Sequence, residues 1–326
     1  MSQTKTETGW TGSDYSDLVF VFGALRSGTT VFRLMLDAHP EISNPGEMDF
    51  LFDHLVEEPD APGGWQYDLE KLRLDRIFRA AKLNIRPALS GLEQLDDFLR
   101  QLRDRHGGPP VLSINIHRNA DRLIKVLPEV KIIHMLRDPR DVARSSIQMG
   151  WAGTLYHGVG HWMKTEAAWD RVAPQVPASH LLTLSYERLF EATEDSLAEV
   201  CQFLGIDYTP AMLTYHQNTT YAPPDPSLVR QWQRKSAPRD IDLLEYRAGG
   251  LMTRRGYALS GSAPVPGLPR LARLEVSNKL AVWKFGANRF GTVTYFSEKL
   301  TRWLGWNSRN RAIRLRMDDI QARQLK

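Results

Sequence analysis

The chain has 326 residues, 42% of them hydrophobic and 25% charged, enough to bury a large core as one α/β domain or a domain with an appendage. Its net charge of +4 hides an asymmetry: residues 270–326 hold 13 Lys and Arg against 4 Asp and Glu, and residues 1–269 hold 29 against 34, so the basic character belongs to the tail. A single cysteine, Cys201, excludes an intramolecular disulfide framework, and no apolar run approaches the roughly 18 residues of a membrane-spanning helix.

The first seventeen residues, MSQTKTETGWTGSDYSD, are polar and lack the apolar centre of a signal peptide. With the lone cysteine, this reads as a cytoplasmic protein whose residues 1–16 are disordered or loosely attached. The stretch VFVFGALRSGTTVFRLML follows, an apolar strand over 18–22, a glycine-framed turn and an amphipathic helix that stops at His39-Pro40. From Gly23 the spacing is G-x-x-x-x-G-T-T, a Walker A loop with Thr29 in the lysine slot and Arg26 three residues earlier. Such a loop aims backbone N–H groups and a helix N-terminus at an anion. Ser27, Thr29 and Thr30 add hydroxyls, Gly28 permits close approach, and Arg26 adds a charged fork.

Residues 57–108 read as a helical insertion near the acceptor side of an open sheet. Further strands are expected at Val111–Ile116, Lys131–Leu136 and Leu181–Ser185, and a helix at Thr193–Leu204 ending at Gly205. This βαβ alternation predicts a mostly parallel sheet flanked by helices in three layers. Cys201 sits at helical spacing among apolar residues and reads as core. In KIIHMLRDPRDVARSSI, Arg137 falls at a strand end and Ser145 two turns into the next helix, so both can approach one phosphate. Arg140 and Arg144 on that helix read equally as phosphate contacts or as charges paired with Asp141.

Two carboxylate or imidazole groups are candidate bases. Glu47, 21 residues after Arg26, acts as a base or merely caps the segment MDFLFDHL. His117 follows the strand Val111–Ile116 and has a suitable unperturbed pKa of about 6.5, whereas a glutamate near about 4.3 needs burial to approach neutrality. His39 and His134 read as structural. The aromatic, glycine-rich stretch 149–169 is either a packed surface loop or an acceptor lid lined by Trp151, Tyr156, His157 and Trp162. Residues 260–271 form a Ser/Pro/Gly-rich linker, and 272–326 a basic, aromatic helical extension. That extension packs on a partner or a second copy, lies on an anionic membrane, or exposes a solvated face. Nothing in it resembles a nucleic-acid-binding motif.

Taken together, RSGTT and LRDPRDVARS resemble the 5′-phosphosulfate loop and 3′-phosphate motif of the sulfotransferase superfamily, over about residues 17–258. The resemblance implies a P-loop-NTPase-like catalytic domain over 17–259 using 3′-phosphoadenosine 5′-phosphosulfate (PAPS), with adenosine 3′,5′-bisphosphate as product and no metal. It implies that Arg137 and Ser145 hold the 3′-phosphate, that Tyr186 in LSYERL lies near the adenine, and that Arg230 or Arg234 replaces a phosphate-binding lysine whose place holds Gln231. The position of Glu47 is similar to that of the glutamate base in the tyrosylprotein and heparan branches; His117 corresponds to the histidine of small-molecule enzymes. The acceptor is then a small molecule, carbohydrate or lipid carrying a hydroxyl or amine. The alternatives are a P-loop nucleoside or sugar kinase and a silent nucleotide-binding protein of the same fold.

Overall fold

The computed structural model describes residues 15–105, 108, 110–261 and 264–324. Apart from 15 and 16, the N-terminal segment 1–16 lies outside the described residues. The chain divides into two compact units, one of residues 15–138 with 161–231, the other of 139–160 with the residues from 232 onward.

The first unit is built on strands β1 (Leu18–Gly23), β2 (Ile42–Ser43), β3 (Leu55–Glu57), β4 (Trp65–Tyr67), β5 (Val111–Ile116), β6 (Lys131–Leu136) and β7 (Leu181–Ser185). Five form one sheet in the order β2-β5-β1-β6-β7, every pair parallel. Every residue of β1 and β5 is buried, the continuous apolar signature of parallel strands covered on both faces. The period of two divides β1 between two cores: Leu18, Phe20 and Phe22 join one cluster, Val19 and Val21 the other. The strands anticipated from apolar runs occur where expected, with the same bounds for β5, β6 and β7. The helix Thr193–Leu204 ends on Gly205 in the left-handed region (φ 85°). Cys201 on it is fully buried, and burial pushes its thiol up to about 11, as befits a core residue.

Residues 57–108 are more mixed than their helical pattern suggests. Strands β3 and β4 pair antiparallel, and the helix Gly91–Arg105 buries Leu95, Phe98 and Leu102 in the same core as Phe20. Edge-to-face contacts link Phe50, Tyr67, Phe78 and Phe98.

The second unit is helical, with segments Pro139–Gln148, Pro238–Arg254, Leu268–Phe290, Thr292–Trp303 and Asn307–Gln324. Its centre is a buried ion pair, Arg140 Nη1 to Glu245 Oε1 at 2.8 Å, with the guanidinium stacked on Trp232 at 3.7 Å. Asp141 accepts the Trp232 backbone N–H at 2.8 Å. Arg144 donates to the carbonyl of Lys235 and to Ser236.

At the carboxyl end of β1 the turn leaves no room for a side chain. A Cβ on Gly23 would lie 2.4 Å from the backbone oxygen of Met135, its register partner on β6. Gly23→Ala should therefore lower unfolding free energy by about 1–3 kcal/mol through overpacking. Thermal denaturation checks this, and an unchanged Tm would contradict it.

Candidate active site

The turn after β1 and the helix α1 (Thr29–Asp37) carry the five candidate loop residues, Arg26, Ser27, Gly28, Thr29 and Thr30. Gly28 adopts φ 91°, and a Cβ there would sit 2.2 Å from the Tyr186 ring, so only glycine lets the loop lie against that tyrosine. Arg26 is held in the left-handed region at φ 73°, a conformation that costs a non-glycine residue energy and re-aims its side chain. Ser27 is fully buried and its Oγ has no hydrogen-bond partner among the described residues, an orphaned donor inside the phosphate-type loop. Thr29 is buried and Thr30 half-buried at the start of α1.

Arg137, at the end of β6, reaches back to this loop. Its Nη1 donates to the Arg26 carbonyl at 3.1 Å, and its guanidinium stacks on Tyr186 at 3.8 Å. The charges of Arg26 and Arg137 oppose one another across the short gap. Fixing two guanidinium groups side by side costs energy that a bound anion would recover. The Tyr221 hydroxyl also lies near enough to act on Arg26, and His161 Nε2 donates to the Leu25 carbonyl at 2.9 Å, bracing the loop. Neither residue carries a local motif that would have revealed it.

Both candidate bases meet at the adjacent strand end. The pairing of β2 with β5 continues past Ser43 through a bridge between Glu47 and Asn115. The Met48 N–H donates to the Asn115 carbonyl at 2.9 Å, and the Asn115 N–H to the Gly46 carbonyl at 3.0 Å. Asn115 Nδ2 also donates to the Thr29 carbonyl, tying the strand to the first turn of α1. This brings Glu47 Oε1 to 3.5 Å from His117 Nε2, across seventy residues of sequence. The imidazole is fixed from two other sides. Its Nδ1 donates to the Gly23 carbonyl at 2.8 Å, and its backbone N–H donates to Asp49 Oδ1 at 2.7 Å.

A carbonyl can only accept, so Nδ1 keeps its proton and Nε2 carries one only when the ring is imidazolium. Burial opposes that charge on His117, but contact with Glu47 and the carboxylate of Asp49 outweigh it and hold its pKa above the ordinary value. Contact with His117 in turn outweighs burial at Glu47 and, with Arg33 and Arg76 nearby, holds its carboxyl below the ordinary range. Each group of the pair thus favours the charged form of the other. Accessibility separates the two: the Glu47 side chain is 39% exposed, that of His117 only 2%. Asp49, 2% exposed, was not singled out from sequence; its segment reads as a plain helix start.

Arg230 pairs with Glu191 through both guanidinium nitrogens. Trp162 has no exposed surface, so its ring serves packing where a lid position had been considered. In the second unit, Ser145 is half-buried on the helix Pro139–Gln148, and Trp151 is 46% exposed. There the Tyr156 ring lies under Arg247, and His157 Nε2 meets Glu275 at 2.9 Å. His39 bonds the Asp207 carbonyl, and His134 meets Glu166 at 3.3 Å in the core. Among the described residues, no group of three or more His, Cys, Asp or Glu could hold a metal ion, and no helix is long and apolar enough to cross a membrane.

The linkage of the Glu47–His117 pair to folding has a definite sign. The raised His117 pKa stabilises the fold below the unfolded imidazole value and is lost as pH rises through the folded one. The lowered Glu47 pKa stabilises above the unfolded carboxyl value and is lost as pH falls through the folded one. The stability difference between wild type and Glu47→Gln should thus be largest between about pH 4.3 and about pH 6.5, and shrink on either side. Urea denaturation across pH tests this; a difference independent of pH would contradict the pairing.

A profile of the Sulfotransferase family matches residues 18–210. Protein-tyrosine sulfotransferase 2 of Gallus gallus is 28% identical over 211 residues, spanning 61% of this chain and 54% of that protein. Protein-tyrosine sulfotransferase 1 of Danio rerio is 27% identical over 213 residues, spanning 61% and 56%. The chain therefore spans little more than half the length of these two relatives. The solved sulfotransferase domain from the curacin biosynthetic pathway shares the fold, with a TM-score of 0.58 at 18% identity over 74% of this chain and 98% of that one. On a match covering more than half its length, this chain belongs to the sulfotransferase family.

Proposed function

We propose that the protein transfers the sulfuryl group of PAPS to a hydroxyl acceptor, with Glu47 as the base. The observation that carries this reading is the convergence, at neighbouring strand ends, of the loop bearing Arg26 and the orphaned Ser27 hydroxyl, the stacked Arg137, and the half-exposed Glu47. In this reading the loop N–H groups, Ser27, Thr29, Thr30 and Arg26 hold the 5′-phosphosulfate, Arg137 binds the 3′-phosphate, and Tyr186 lies near the adenine. The Thr29 in place of a Walker lysine suits a donor whose transferring group carries less charge than a γ-phosphoryl.

As the acceptor oxygen bonds to sulfur, the bond from sulfur to the bridging phosphate oxygen breaks, and adenosine 3′,5′-bisphosphate leaves with that electron pair. By analogy with phosphoryl transfer, charge grows on the bridging oxygen, where Arg26 and the loop donors stabilise it. The acceptor's proton passes to Glu47, because its carboxylate is 39% exposed while His117 Nε2 is buried behind it. His117 positions the carboxylate and favours its ionised form.

A carboxylate held below its usual range is a weak base, which suits an acceptor more acidic than an alkyl alcohol. A phenol, with a pKa of about 10, meets that requirement. The names of the two vertebrate relatives point the same way, to tyrosine side chains.

Replacing Arg137 by Ala should weaken adenosine 3′,5′-bisphosphate binding by roughly 2–3 kcal/mol, the loss of a charge-assisted contact. Glu47→Gln should retain that affinity while turnover on a phenolic acceptor falls about 10²-fold or more. Calorimetry and sulfate transfer from labelled PAPS measure the two effects. Unchanged affinity in the first variant, or wild-type stabilisation by ATP·Mg²⁺ but not by adenosine 3′,5′-bisphosphate, would sink the donor assignment. Loss of activity in His117→Ala with retention in Glu47→Gln would reverse the base assignment.

A further inference from the structure

Two helices of the second unit leave an apolar stripe in solvent. On Leu268–Phe290, Val276, Leu280 and Trp283 are 59%, 58% and 41% exposed and fall at i, i+4 and i+7, one face of the helix. On Thr292–Trp303, Val293, Phe296, Leu300 and Trp303 repeat the pattern, with Trp303 81% exposed. The stripes join: the Trp283 and Phe296 rings meet edge to face at 6.0 Å. Tyr295 packs against Gly286 beneath them, where any Cβ would come within 2.2 Å of the ring, so the helix pair is fixed by its own packing. A contiguous apolar face of this kind marks an interaction site rather than scattered surface residues.

Its surroundings are basic. Residues 268–324 hold twelve Lys and Arg against four Asp and Glu. Of those four, Glu298 is buried and Glu275 is engaged by His157. Arg273, Lys279 and Lys284 are exposed and flank the first stripe on the helical wheel. A second copy docking through this face would bring two positively charged surfaces together, which costs energy. An anionic bilayer complements both features, because phosphates attract the cations and the headgroup boundary accepts Trp and Leu. We propose that this face docks on the surface of an anionic phospholipid membrane, lying in the interface without crossing it. This surface belongs wholly to the second unit and is independent of the donor and base assignments.

Co-sedimentation of the full chain with vesicles of pure phosphatidylcholine, and with vesicles containing roughly one-third phosphatidylserine, tests the inference. The chain should pellet with the anionic vesicles and not the neutral ones, and release as salt rises. Leu300→Ser with Trp303→Ser should weaken vesicle binding about tenfold or more, as should Lys279→Glu with Lys284→Glu. These positions are exposed, and a wild-type circular dichroism spectrum and Tm would confirm that the variants are folded. Equal pelleting of wild type and both variants, or no pelleting with the anionic vesicles, would overturn the proposal. A wild-type dimer in light scattering that Leu300→Ser with Trp303→Ser dissolves would assign the face to a second copy instead.

Discussion

The hydrogen bond from His117 Nδ1 to the Gly23 carbonyl, 2.8 Å long, connects the end of β5 to the first residue of the glycine-framed loop. Because its acceptor is a carbonyl, it also decides the chemistry of the other ring nitrogen. Nε2 can be protonated only as part of a cation, and the Glu47 carboxylate lies 3.5 Å from it. Gly23 is thus constrained twice, by the oxygen that holds the histidine and by the Met135 backbone that excludes a side chain. Displacing this residue would move the loop, the imidazole and, through it, the base.

Around that point the fold arranges charge by function. The loop side is positive, with Arg26 and Arg137 held near each other against their mutual repulsion. The neighbouring strand end holds Glu47 against His117, with the carboxylate the solvent-facing member. This separation suits a reaction in which negative charge leaves on one side while a proton is withdrawn on the other. Buried Asp49 completes the arrangement by holding the His117 backbone and favouring the imidazolium.

The sheet was legible in the sequence because its strands are buried on both faces and read as unbroken apolar runs. Strand β2, two residues long, and the β3–β4 hairpin inside a helix-like segment left no such signature. In the candidate site, the loop and Arg137 were visible from local spacing, each standing at a strand-to-helix turn. Glu47 and His117 were legible one at a time, as rivals. Their pairing depends on the Glu47–Asn115 bridge, a non-local contact that no local spacing encodes. The same holds for Trp162: an aromatic in a glycine-rich stretch reads as a pocket wall until the packing shows it enclosed.

The most direct measurement is a crystal structure of the protein with adenosine 3′,5′-bisphosphate. The 5′-phosphate is expected against the N–H groups of residues 27–30 and the Arg26 guanidinium, with the 3′-phosphate on Arg137. Glu47 is expected to be the carboxylate closest to the open side of that 5′-phosphate, where the sulfuryl group would lie. A nucleotide bound with its 5′-phosphate away from the loop, or with Glu47 turned away from it, would overturn both the donor and the base assignments.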